Sequence, residues 1–235
     1  MANEWQKVWN NREAAPGTLA GDWKKVFLEL KRLNGYDIVG DGIPLSSLLA
    51  EDAQIQELLG ISVGSSVFEV GCGAGANLYL MARAGMTVGG TDYSKTLIEA
   101  ARTVLPTARE LYCGEADVFP TEKKYDAVFS NGVFPYFPNK TYTKNVMIRM
   151  LEKTSGPIGI MGIHDLEKRE DYLAYRRANI PDYDERYKGL DKLFCARSFF
   201  EDFARAQNLR ITFPEIRIEG YWNIPFIFNV FMYRK

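Results

Sequence analysis

Residues 66–75 read SVFEVGCGAG, an apolar run that leads directly into a turn with three glycines. The run predicts a buried strand, and Gly71, Gly73 and Gly75 permit a tight turn because glycine has no Cβ. Helical spacing of apolar residues begins immediately afterwards. A helix N-terminus behind such a turn offers unpaired N–H groups and the positive end of a dipole to an anionic group. The stretch therefore predicts a cofactor site at the end of a strand.

Two kinds of cofactor fit a glycine-rich turn between a strand and a helix. Gly71, Gly73 and Ala76 satisfy the dinucleotide spacing G-x-G-x-x-G/A. The same stretch resembles the first motif of the class I S-adenosylmethionine (SAM) methyltransferase family, an acid, one residue and then G-x-G-x-G. Glu69 supplies the acid, and Gly75 completes the glycines. Residues further along the chain are needed to distinguish a dinucleotide site from a SAM site.

Three downstream segments favour the resemblance to the methyltransferase family. Asp92 ends the second predicted strand, where a carboxylate can accept hydrogen bonds from both hydroxyls of a ribose. Residues 114–120, GEADVFP, resemble the third motif, in which an acid faces the adenine amino group. Glu115 holds that position, and Asp117 is the alternative if the turn is shifted. Residues 125–134 resemble the fourth strand and its turn, so the resemblance covers residues 66–137.

The resemblance implies SAM as cofactor, with S-adenosyl-L-homocysteine (SAH) as its product. Asn77 opens the helix behind the glycines, so its side chain and the N–H groups near Gly73 are expected to hold the methionine carboxylate. Glu69 is expected to face the cationic amino group. No metal is predicted, because the three cysteines match no metal-ligand spacing. The predicted cofactor-binding residues are Trp9, Glu69, Gly71, Cys72, Gly73, Asn77, Asp92, Tyr93, Glu115, Ala116, Asp117, Asn131, Gly132 and Phe134.

Two residues are candidates for the catalytic end of the site. A sulfonium methyl group is already electrophilic, so the protein has to align the acceptor and exclude water. A hydroxyl acceptor benefits from a base, whereas an amine only has to arrive neutral. His164, the single histidine, directly follows the fifth predicted strand and titrates near neutral pH. It is therefore a candidate base, with a structural role as the alternative, and Tyr136 is a candidate lining residue.

The order of predicted elements indicates an α/β protein. Strands and helices alternate through the middle of the chain, which implies a parallel sheet with helices on both faces. Two late strands, over 209–218 and 225–233, are predicted to form a hairpin. The expected fold is a doubly wound, mostly parallel seven-stranded Rossmann-like sheet with an antiparallel C-terminal hairpin. The five earlier strands are predicted near residues 66–71, 87–92, 109–113, 126–130 and 157–163.

The 235 residues are expected to form a single domain with two additions to the minimal scaffold. Residues 1–60 are predicted to be a helical cap. Residues 165–195 follow the fifth strand at the ligand edge of the sheet and are predicted to be a lid, because long insertions there are usually functional. A net charge of −1 without a basic run argues against a nucleic-acid partner. No membrane span or secretion signal is visible, so a cytoplasmic location is expected.

The predicted function is SAM-dependent methyl transfer to a nitrogen or oxygen atom of a small molecule, a secondary metabolite or a sugar. The turn after the fourth strand, SNGVF, lacks the Asn/Asp-Pro-Pro-aromatic pattern of enzymes that methylate bases or glutamine amides. A nicotinamide-dependent oxidoreductase is one alternative, and it would have six parallel strands without an antiparallel hairpin. A non-catalytic SAM-binding protein is the other, and its cleft would be filled by its own side chains.

Overall fold

The computed structural model describes residues 4–36 and 42–235, and its centre is a sheet with helices on both faces. The strands are β1 Ser66–Val70, β2 Thr87–Asp92, β3 Glu110–Cys113, β4 Ala127–Asn131, β5 Ile158–Asp165, β6 Phe194–Cys195, β7 Leu209–Thr212 and β8 Ile227–Arg234. The α-helices are α1 Glu4–Asn10, α2 Trp23–Leu33, α3 Leu45–Leu59, α4 Ala76–Arg83, α5 Lys95–Val104, α6 Lys140–Lys153, α7 Arg169–Asn179, α8 Tyr183–Arg186 and α9 Arg197–Ala206.

The strand order confirms the predicted fold class. The sheet runs β3-β2-β1-β4-β5-β8-β7. The first five strands are mutually parallel, whereas β8 lies antiparallel to both β5 and β7. β6, a strand of two residues, pairs with the end of β5 and makes the eighth strand. The order of strands reverses beside β1, and the crevice at such a switch point is where open α/β sheets bind ligands.

The C-terminal hairpin has a shorter first strand than the sequence analysis predicts. β7 ends at Thr212 rather than at residue 218. Pro214 lies two residues further on and has no N–H group to donate to a neighbouring strand. Its carbonyl instead accepts a hydrogen bond of 3.2 Å from the side chain of Asn229 on β8. The long connection between the two strands therefore leaves the sheet and crosses towards the site.

The N-terminal helices pack on the glycine turn. Asp22 caps α2 by accepting hydrogen bonds from two backbone N–H groups of its first turn. The buried face of α2, with Phe27 and Leu30, then packs in one cluster with Ala74 in the turn and with Trp9 of α1. Burying such side chains contributes about 1.5–3 kcal/mol each. This cluster holds α1 and the end of α2 against the ligand edge of the sheet.

Within the part of the chain that the structure describes, no helix has the length and apolar character that crossing a bilayer requires.

Candidate functional site

A cavity of about 640 Å³ lies at the carboxyl ends of the parallel strands. Such a volume is within the range of small-molecule sites. Its walls come from the glycine turn, the end of α2, α1 and the loop before β6. The sequence-predicted residues that line it are Trp9, Glu69, Gly71, Gly73, Asn77, Asp92, Tyr93, Glu115, Ala116, Asn131, Gly132 and Tyr136.

The glycine turn needs its glycines for two physical reasons. Gly71, Gly73 and Gly75 have φ values of 75°, 54° and 81°, in the left-handed region that residues with a Cβ rarely adopt. A Cβ on Gly73 would also lie 2.3 Å from Oδ1 of Asn34. The turn therefore has no space for a side chain at Gly73.

Asn34 joins the end of α2 to this turn. Its Oδ1 accepts a hydrogen bond of 2.8 Å from the N–H of Ala74, and its Nδ2 donates one of 3.3 Å to the carbonyl of Cys72. Gly35 follows immediately, and a Cβ there would lie 2.9 Å from the ring of Trp9. Asn34 thus contacts the glycine turn, and its neighbour Gly35 contacts Trp9 in the cavity wall.

Asp92 ends β2 with its carboxylate beside the turn. Its Oδ2 accepts from the N–H of Gly73 at 2.9 Å, and its Oδ1 accepts from the N–H of Ser94 at 2.8 Å. Burial raises the pKa of this carboxyl to about 6, while the two N–H bonds act in the opposite direction. A carboxylate has about four acceptor positions, so two remain for a ligand's hydroxyl groups.

A chain of buried polar side chains, here called the buried network, crosses the base of the cavity. Oε1 of Glu69 accepts from Nδ2 of Asn77 at 2.7 Å. Lys31 donates to Oδ1 of Asn77 at 3.0 Å and forms an ion pair of 3.2 Å with Glu51. The other oxygen of Glu51 accepts from Nδ2 of Asn131 at 2.8 Å. The network joins α2, α3, α4, β1 and the end of β4.

Glu69 is the incomplete member of the buried network. Its side chain is 1% exposed, and Oε2 has no hydrogen-bond partner among the residues that the structure describes. Burial raises its pKa to about 8, although the Asn77 hydrogen bond and the charge of Lys31 lower it. A buried acceptor without a partner is costly. A ligand cation at Oε2 would both satisfy this oxygen and ionise the carboxyl.

The third predicted motif lies at the far side of the turn. Oε2 of Glu115 accepts from the hydroxyl of Tyr142 at 2.8 Å, and the same hydroxyl accepts from the N–H of Ala116 at 3.1 Å. Glu115 lines the cavity, and the lining does not include Asp117. Of the two candidate acids in this motif, Glu115 is therefore the one that lines the cavity, and it holds the position that the motif spacing indicates.

Two further cofactor-binding predictions fall outside the cavity lining. Cys72 is fully buried beneath the turn, where it packs in the core cluster with Leu78. Phe134 is also buried, and its ring packs against Phe137 and Phe200 at centroid distances of 4.7 and 6.5 Å. Both side chains support the site from the core and do not face the cavity.

His164 differs most from its expected position. It is 2% exposed and is not part of the cavity lining. Its ring packs against Tyr172 at 4.6 Å and Phe194 at 5.1 Å, and its Nε2 lies 3.3 Å from Nδ2 of Asn223. Burial, followed by the positive charge of Lys192, holds its pKa well below the usual value. β5 runs longer than predicted, so His164 lies within the strand, in an aromatic cluster.

The opposite end of the cavity is an aromatic wall made by Trp5, Trp9 and Tyr136. Both tryptophans meet Tyr136 edge to face, at centroid distances of 4.8 and 5.3 Å. Nζ of Lys192 lies 4.0 Å from the ring centroid of Tyr136 and 5.0 Å from that of Trp5. The indole N–H of Trp5 donates to the carbonyl of Asp191 at 3.0 Å. The wall therefore brings residues of 1–60 and 165–195 together.

Several lining residues were not predicted from the sequence. Spacing could have indicated one of them. Lys31 lies four residues after Phe27, so a charged side chain falls on the apolar, buried face of α2. Lys192 lies in a loop without periodicity, so no local signal pointed to it. The principal lining residues missed are Trp5, Lys31, Asn34, Tyr36, Tyr142, Lys192 and Tyr221.

Comparison with known proteins supports the assignment of the glycine turn. Residues 67–153 match a family model described as a methyltransferase domain. No curated protein matches the chain in sequence.

Solved structures share the fold at low sequence identity. Magnesium protoporphyrin IX methyltransferase (ChlM) from Synechocystis PCC 6803, with bound SAM, has a TM-score of 0.57 at 13% identity, over 99% of this chain and 93% of that one. The plantazolicin methyltransferase BpumL, in complex with SAH, has a TM-score of 0.61 at 15% identity, over 99% and 98%. A SAM-bound amino pentose methyltransferase from Micromonospora echinaspora has a TM-score of 0.59 at 14% identity, over 81% and 90%. The ligands in these structures are consistent with the predicted cofactor.

Proposed function

We propose that this chain transfers a methyl group from SAM to a nitrogen or oxygen atom of a small molecule, since residues 67–153 match a methyltransferase domain model and solved methyltransferases share the fold. The observation that carries the proposal is the unpartnered Oε2 of Glu69 at the glycine turn. This oxygen lacks a cation, and the methionine end of SAM carries an ammonium group.

The remaining polar groups of the cavity fit the rest of the cofactor. Asp92 retains acceptor positions for the two ribose hydroxyls. Glu115 lies where the adenine amino group is expected, one residue before the N–H of Ala116. Lys31 and Asn77, next to Glu69, supply positive charge and an amide for the methionine carboxylate. The ribose, the adenine and both charged groups of the methionine end of SAM thus each have a complementary group in the cavity.

The aromatic wall is proposed to hold the methyl acceptor and to exclude water. SAM supplies an electrophilic methyl group, so the chain has to exclude water and hold the acceptor in line. Trp5, Trp9 and Tyr136 present rings to the cavity and limit access of solvent. Residues 1–60 and 165–195, which contribute two of these rings and Lys192, are proposed to act as cap and lid. A base at His164 finds no support in its position outside the cavity lining.

Two alternatives are less well supported by the architecture. The antiparallel β7 and β8 differ from the six parallel strands of a dinucleotide-binding sheet. The cavity of about 640 Å³ is not filled by the protein's own side chains, which does not favour a non-catalytic protein with a plugged cleft. A cavity of this size favours a small-molecule acceptor.

A ligand screen by thermal shift tests the proposed cofactor. SAM and SAH should raise the unfolding midpoint, whereas NAD and NADP should not, because only binding to the native state stabilises it. Asp92→Ala removes a charge-assisted acceptor worth about 1.5–3 kcal/mol and should weaken SAM binding roughly ten- to a hundred-fold by calorimetry. Asp202→Ala, on the exposed surface of α9, is the matched control and should bind normally. Stabilisation by NAD or NADP alone would contradict the proposal.

A further inference from the structure

The segment 165–195 brings Lys192 to the aromatic wall and carries a second cation, Arg176, outside the cavity lining. Lys192 lines the cavity and lies over the rings of Tyr136 and Trp5. Arg176, on α7, is 4% exposed, and its guanidinium lies 4.9 Å from the ring centroid of Tyr187 and 5.2 Å from that of Trp222. Neither forms an ion pair with a carboxylate in residues 4–36 and 42–235.

An unpaired cation in such a place is energetically unfavourable. Removing a charge from water is costly unless an opposite charge compensates it, and ring faces compensate only partly. Burial and the nearby charge of Arg176 together lower the pKa of Lys192 to about 7, which is the expected response to a missing counter-charge. The wall therefore lacks an anion.

Three of the four carboxylates that line the cavity are located at the other end. Glu69, Asp92 and Glu115 all lie around the glycine turn, where they match the cofactor. Asp191, the fourth, lines the cavity beside Lys192, but its side chain is exposed and forms no ion pair with Lys192 in the described residues, and its carbonyl oxygen accepts from Trp5. Lys31 at the cofactor end is already paired with Glu51, whereas Lys192 at the wall has no carboxylate partner in the described residues, so the missing anion has to come from the acceptor.

We propose that the methyl acceptor is an anionic ring compound whose carboxylate or phosphate group binds Lys192 while its ring packs on the aromatic wall. The rings of Trp5, Trp9 and Tyr136 offer flat apolar surface to a ring. Lysine provides a compact charge that binds either kind of anion. This inference rests on the proposed function and adds the chemical class of the acceptor.

Matched pairs of probes test the charge preference without knowledge of the natural acceptor. Benzoate and benzamide, 4-hydroxybenzoate and 4-hydroxybenzamide, and 1-naphthoate and 1-naphthamide differ within each pair in charge and little in shape. Their affinity for the SAH-loaded protein can be followed by the fluorescence of Trp5 and Trp9, with calorimetry as a check. In at least one pair the acid should bind about tenfold or more tightly than the amide.

Two variants assign the preference to Lys192. Lys192→Met should abolish it, because methionine keeps the length of the side chain without its charge. Lys188→Met, an exposed position in the same segment, should leave it unchanged. Without ligands, Lys192→Met should raise the unfolding midpoint, since it removes an unpaired, half-buried charge. A purely structural lysine would lower it.

The outcomes separate this inference from the proposed function. If SAH does not bind the native protein, the proposed function fails and the inference with it. If SAH binds but no acid exceeds its amide, the anionic acceptor is wrong while the methyltransferase proposal stands. That comparison uses the native protein, so it remains decisive even if Lys192→Met does not fold. An acid preference that survives in a folded Lys192→Met protein would also overturn the role of Lys192.

Discussion

The half-satisfied carboxyl of Glu69 should make cofactor affinity depend on pH. With its pKa raised to about 8 by burial, this side chain is mostly protonated at neutral pH in the free protein. Pairing with the ammonium group of SAM requires the ionised form. Raising the pH removes the proton, so SAM affinity should rise with pH towards 8.

The size of the effect follows from the titration. About one tenth of the Glu69 carboxyls are ionised at pH 7, so each unit below the pKa weakens binding about tenfold. Above pH 8 the rise should stop, because an α-amino group with a pKa of about 7.7–8.0 then loses its own proton. Glu69→Gln keeps the oxygen that accepts from Asn77 but cannot ionise. It should bind SAM with little pH dependence and roughly ten- to a hundred-fold more weakly at pH 7.5.

Calorimetry between pH 6.5 and 7.5 measures the pH dependence of SAM affinity and the loss of affinity in Glu69→Gln. This range lies above the pKa of about 6 for Asp92, whose titration would otherwise contribute. Repeating the titration in two buffers of different ionisation enthalpy gives the number of protons released, which should be close to one for the native protein and close to zero for Glu69→Gln. Glu201→Gln, on the exposed surface of α9, is the control. A native affinity that is constant with pH, or an unchanged slope in Glu69→Gln, would refute the reasoning.

Two other substitutions test the turn and the histidine. Gly73→Val should abolish SAM binding, because its Cβ would displace Asn34. Gly64→Val also places a side chain at a positive φ but has open space around it, so it should lose stability and still bind. His164→Ala should lower the unfolding midpoint and change kcat by no more than about twofold, because the ring lies in a core cluster. A fall in kcat of roughly 10²–10⁴-fold in a stable His164→Ala protein would restore its role as a base.

Local pattern was sufficient to predict which residues around the glycine turn line the cavity. The glycine turn, Glu69 and Asp92 all belong to one strand-turn-helix unit and the strand beside it. Such units have a fixed geometry, so residue type and spacing determine where their side chains lie. The same reasoning placed the parallel strands correctly. It failed at β7, where the prediction ran through Pro214 although proline cannot donate to a neighbouring strand.

The buried network was predictable in principle. Glu51 lies on the same face of α3 as the buried Leu48 and Ile55, three and four residues away. A charged residue on an apolar face indicates a buried partner of opposite charge. The sequence does not indicate which lysine that partner is, because helix packing determines it.

The acceptor end required the tertiary structure. Trp5 and Asp191 are 186 residues apart in the chain, yet one hydrogen bond joins them in the wall. Lys192 follows no periodic pattern, and β6 has only two residues. Loops that meet through long-range contacts leave no spacing signal in either segment, so the sequence did not indicate which of their residues line the cavity, and the lid stays a prediction.

The neighbouring residues Asn34 and Gly35 connect the glycine turn to the aromatic wall. Asn34 is hydrogen-bonded to the glycine turn, and Gly35 packs directly against Trp9 of the wall. A displacement of the turn on cofactor binding would therefore be transmitted to Trp9 of the aromatic wall, where we propose that the acceptor binds. The two affinities should be coupled, and reciprocity then requires the acceptor to strengthen cofactor binding by the same factor by which the cofactor strengthens acceptor binding.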